Sequence, residues 1–152
     1  MEGKMYRKEV RILVTLLSLI LIPGLYSLYI YNKYVAGNPG IINDFSFWGK
    51  AMLILIPVMI VAMIIIHIVF AIINKIVTNE DMPTITDEMD KLVELKALRV
   101  SHWTYTLGFL LAMGSQAIGM KPWIMIFILI VSCFAGGIAE AITQIYFYRK
   151  GI

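Results

Sequence analysis

Residues 51–73 read AMLILIPVMIVAMIIIHIVFAII, an apolar run without one Asp, Glu, Lys or Arg. The hydrocarbon core of a bilayer is ~30 Å thick and takes ~20 helical residues to cross, so this run is long enough to span it. Barrel strands are short and alternate in polarity, which this run does not, so it reads as a helix. Working outward from it, three further stretches have the same character, at about 12–31, 103–120 and 123–146. Composition agrees. The chain is 152 residues, 60% hydrophobic and 15% charged, whereas a soluble domain carries roughly a quarter of its residues as charges. The expected fold is all-α, a four-transmembrane-helix bundle forming a single integral membrane domain over 1–152. Pro23 and Pro57 fall inside runs, where neighbouring helices can satisfy the carbonyls they free.

Basic residues set the expected orientation. Lys4, Arg7, Lys8 and Arg11 precede the first run, Lys75, Lys91, Lys96 and Arg99 lie between the second and third, and Arg149 and Lys150 end the chain. Opposite them stand Lys33, Lys50 and Lys121, so the tally is ten against three. The positive-inside rule then places both termini and the central loop in the cytoplasm, as a multi-pass, N-in/C-in protein of the cell (inner) membrane. Tyr26, Tyr29, Tyr31, Tyr34, Trp48 and Trp123 mark the outer interface, and Trp103 and Tyr146 the inner one. The first run is longer than a signal-peptide core and lacks a small-residue cleavage site, so it is expected to remain as a span.

The loop of 74–102 is the one sizeable soluble feature. Thr86 followed by Asp87 and Glu88 reads as a helix start, and no breaker occurs before Gly108. One continuous helix over 87–120 is expected, with its 87–102 portion extending ~20 Å into the cytoplasm. There Met89, Leu92, Val93 and Leu95 oppose Asp90, Lys91, Glu94 and Lys96. Such a face either packs on the N-terminal segment or lipid surface, or docks a second subunit or cytosolic partner. The docking candidates are Asp87, Glu88, Asp90, Lys91, Glu94, Lys96 and Arg99.

Polar residues within spans are costly and mark candidate sites. Glu140 is the sole acid within the four runs. Steps of four from it give Gly136 and Ser132 in one direction and Gln144 and Tyr148 in the other, one polar and small face. Gly136 and Gly137 on this span, with Gly108 and Ala112 on the third, would allow close helix approach. His67 in the second span matches Glu140 in expected depth and is its natural partner. Glu140, Gln144, His67 and Ser132 thus form an expected intramembrane polar site, which either locks helices together or binds a proton or cation.

Enzyme templates fail: two histidines and one cysteine supply no His-Glu-x-x-His site, no Cys-x-x-Cys pair and no nucleophile elbow. No catalytic residue, metal, cofactor or nucleic-acid partner is expected. The segment Asp87-Glu88-Met89-Asp90-Lys91 with Glu94, Lys96 and Arg99, and the ending Tyr146-Phe147-Tyr148-Arg149-Lys150-Gly151, resemble those of a family of small uncharacterised four-helix prokaryotic integral membrane proteins. Met89 departs from the basic residue that this pattern has. The resemblance implies the same topology and no activity. The expected function is non-enzymatic: an accessory, regulatory or scaffolding subunit that acts by helix association, as a homo-oligomer or with a membrane or cytosolic protein. The alternative is a small transporter or channel subunit using Glu140, with His67 and Gln144, as an intramembrane proton or cation site.

Overall fold

The computed structural model describes residues 2–79 and 88–150. They form four long helices: α1 (Glu2–Ile30), α2 (Phe45–Thr78), α3 (Glu88–Ala117) and α4 (Pro122–Lys150), with no strand among the described residues. A π turn at Tyr31–Val35 and a 3-10 turn at Pro39–Asn43 connect α1 to α2. Local chemistry sets these boundaries. Asp44 caps α2 by accepting the Ser46 N–H at 2.8 Å, and Asn79 closes it in the left-handed region at φ 54°. Past Ala117, Gly119 adopts φ 76°, and the Gly119 and Met120 N–H groups donate to the carbonyls of Gln116 and Ser115 at 3.0 Å. That double bond needs a residue free of a Cβ penalty. Pro122 then opens α4, where its missing N–H costs no helical bond.

Among the described residues, three segments are long and apolar enough to cross a membrane: Arg7–Val35, Phe45–Thr78 and Pro122–Lys150. α3, expected to provide a crossing at 103–120, is not among them. His102, Thr104, Thr106, Ser115 and Gln116 dilute its apolar surface, and the helix ends before Ile118.

The four helices do not surround a common core. α3 and α4 form the most extensive contact, α1 packs on α4, and α2 packs on α1, giving the order α2, α1, α4, α3 across an open row. The buried apolar residues are mostly small, such as Ala51, Ala97, Ala112 and Ala141, while large ones such as Leu53, Ile65 and Leu111 are exposed. This inverts the arrangement of a soluble protein. It suits lipid, where close packing rather than apolar burial holds helices together.

The antiparallel register of α3 and α4 gives the 88–102 portion of α3 a neighbour. Asp90 meets Tyr148, Ser101 meets Gly136, and Gly108 meets Ser132. Residues 88–102 therefore run beside the last turns of α4 instead of standing alone. Asp87 lies outside the described residues.

Candidate functional site

The expected intramembrane set divides between two interfaces. Glu140 is half-buried on α4, where its Oε1 accepts a long hydrogen bond from Gln144 Nε2 at 3.4 Å. Ser101 and Glu94 of α3 lie within electrostatic reach of its carboxyl. His67, by contrast, faces α1: its Nε2 is 3.3 Å from Thr15 Oγ1. The expected His67–Glu140 pair is not formed, because α2 packs on α1 and not on α4. Depth matching alone could not reveal this, since it says nothing about which helices are neighbours.

Register also changes the setting of Glu140. It sits level with the Glu94–Ser101 turns of α3, which carry Lys96 and Arg99 as well. That stretch of α3 brings Ser101 and Glu94 within reach of its carboxyl.

Ser132 has a packing role. Its hydroxyl donates to the Ile128 carbonyl at 2.6 Å, and its side chain occupies the space where a Cβ on Gly108 would be, so any larger residue at 108 collides with it. A Cβ on Gly136 would lie 3.2 Å from Ser101 Oγ and 3.3 Å from its carbonyl oxygen. Gly137 instead faces Leu19 of α1, with 3.4 Å left for a Cβ. The adjacent glycines therefore serve different neighbours. Ala112 is fully buried.

The stripe of α3 that meets α4 comprises Asp90, Val93, Ala97, Ser101, Thr104, Gly108, Ala112 and Ser115, each buried or half-buried. Its steps of three, four and four give an 11-residue repeat, which stays on one face of a nearly straight helix. Asp90, which the amphipathic pattern assigned to the polar face, is the first member of this stripe.

Asp90 anchors a cluster that sequence reasoning missed. It is 3% exposed, its Oδ2 pairs with Lys8 Nζ at 2.6 Å, and its Oδ1 accepts from the Tyr148 hydroxyl at 2.8 Å. The Lys8 ammonium also lies 5.9 Å from the Tyr148 ring centroid. Nearby, Arg149 Nε is 3.3 Å from Glu9 Oε2, and Lys96 sits 4.8 Å over the Phe147 ring. One carboxylate thereby ties α1, α3 and α4 together at one end of the row. Removing one partner of a buried ion pair typically costs ~3–5 kcal/mol, because the other charge is stranded. The available signal was the regular run from Asp90 to Gly108, in which Asp90 is in phase with Val93 and Ala97.

The outward side of α3 is the opposite case. Leu92, Leu95 and Leu98 are more than half exposed, and Glu88, Lys91, Glu94 and Arg99 are exposed beside them. Comparison with protein-family models, with curated proteins and with solved structures returns no match for this chain.

Proposed function

We propose that the chain is a four-crossing membrane protein with both termini in the cytoplasm, working without catalysis as an accessory or scaffolding subunit that self-associates along α3. One observation carries this reading. α3 is an edge helix packed on α4 by a single stripe, with the Asp90–Lys8 pair reaching α1, and over 88–99 the rest of its surface mixes leucines with exposed charges. Neither water nor hydrocarbon suits such a surface, because water leaves the leucines exposed and hydrocarbon strands the charges. A second copy can pair leucine with leucine and share those charges. Closed two-fold dimers are the commonest outcome of such self-complementary faces.

As the fourth crossing, α3 runs antiparallel to α4 through the bilayer, with its small and hydroxyl residues turned toward α4 and away from lipid. The excess of basic residues at the Lys8–Asp90–Tyr148 end supports a cytoplasmic location for that end. The transporter reading needs Glu140 and His67 in one site, and no observation favours it over the structural role.

Energy transfer between differently labelled copies in liposomes tests association. Transfer should persist on dilution with lipid and fall several-fold in Leu92→Glu/Leu95→Glu. Transfer no greater than that of randomly mixed single chains would remove the basis of the proposal.

A further inference from the structure

At the opposite end of the helices from the Asp90 cluster, α1 and α4 lie on either side of a recess that begins near the Leu19–Gly137 contact. The space between them and the start of α2 is a cavity of about 640 Å³ with an almost wholly apolar lining. Its lining runs from Leu19 to Tyr31 along α1 and from Trp123 to Ile138 along α4. Along α1 the distance from Leu19 to Tyr31 is ~18 Å at 1.5 Å per residue, close to the thickness of one leaflet, half of a ~30 Å core. A volume of several hundred cubic ångströms is that of a ligand site.

A second recess of about 500 Å³ adjoins it and shares Tyr26, Ile30, Phe47 and Ala51 with it. This one is polar at its rim, where Lys33, Lys50 and Asp44 face it. Lys33 Nζ donates to the Tyr29 hydroxyl at 2.6 Å and lies about 5 Å from the Tyr29 and Tyr34 ring centroids. Asp44 is committed to the α2 cap through Ser46. Among the described residues neither Lys33 nor Lys50 is paired with a carboxylate, and they are the only two cations of residues 31–50.

We infer that the paired recesses hold one anionic phospholipid of the leaflet at that end, its phosphate between Lys33 and Lys50 and an acyl chain in the apolar cavity. Each recess supplies what the other lacks. A leaflet-deep apolar slot accounts for the chain, and two ammonium groups without a carboxylate partner account for the charge. Lysines near a lipid surface draw anionic headgroups in this way. The site is independent of association along α3, and neither proposal falls with the other.

Trp48 and Trp123 line the cavity and report on it directly. The full chain carrying Trp103→Phe, which removes the remaining tryptophan, is reconstituted in phosphatidylcholine vesicles. Small fractions of phosphatidylglycerol or phosphatidylcholine with brominated chains are then titrated in. Brominated phosphatidylglycerol should quench at roughly tenfold lower mole fraction than brominated phosphatidylcholine. Lys33→Gln/Lys50→Gln should abolish that preference, and Lys121→Gln, at the α3–α4 turn, should keep it. Equal quenching by the two lipids in the Trp103→Phe protein overturns the headgroup site, and quenching no deeper than that of bulk lipid overturns occupancy of the cavity. Preference retained without Lys33 and Lys50 places the anion elsewhere and also contradicts the inference.

Discussion

Asp90 shows how much a single side chain can decide. A carboxylate that is 3% exposed and shared by Lys8 and Tyr148 holds three helices in register. Asp90→Asn keeps a group that Tyr148 can bond but strands the ammonium of Lys8, so unfolding in mild detergent should be easier by ~3 kcal/mol or more. Tyr148→Phe removes one hydrogen bond to an ionised acceptor and should cost ~1.5–3 kcal/mol. Unfolding of the Asp90→Asn variant at the unsubstituted protein's midpoint would show that the cluster does not tie these ends together. Glu140→Gln should behave differently. Gln144 and Ser101 offer partners to an amide as well as to a carboxylate, so stability is expected to change by less than ~1 kcal/mol. Ion flux across proteoliposomes should be the same with and without the substitution. Flux that disappears in Glu140→Gln would reinstate the transport reading.

The α3–α4 hairpin gives the sharpest test at the level of elements. Gly108→Ala drives a methyl into Ser132 and should push the helices apart, weakening the hairpin by ~1–3 kcal/mol. Adding Ser132→Gly returns the space. The double variant should recover most of the loss, and a double-mutant cycle measures the coupling. Additive losses would mean that the two residues do not meet. The same hairpin explains what was legible beforehand. α2 and α4 follow from runs such as 51–73 because any charge there would have shown itself. The contact face of α3 did not, because hydropathy averages around the helix whereas α4 contacts a single stripe of it. Asp90 and Gly108 are in one line, one acidic and one without a side chain, and only the 11-residue spacing relates them. The His67–Glu140 pairing failed for a related reason. The long apolar runs were readable, but the lateral order α2, α1, α4, α3 depends on contacts between small residues.

For the whole molecule, an open row leaves two edges, and they differ in character. The α2 edge is a sheath of isoleucine, valine and leucine suited to lipid, with Ile64, Ile65, Ile68 and Ile72 all about half exposed. The α3 edge mixes leucine with charge over 88–99 and is the edge expected to meet a second copy. Disulfide cross-linking in native membranes tests this most directly, with single cysteines at Leu95 or Leu107 on α3 or at Ile65 on α2, each in a Cys133→Ser background. The account expects rapid covalent dimers from both α3 positions and none above random collision from α2. Dimers from Ile65→Cys alone, or from no position, would contradict it.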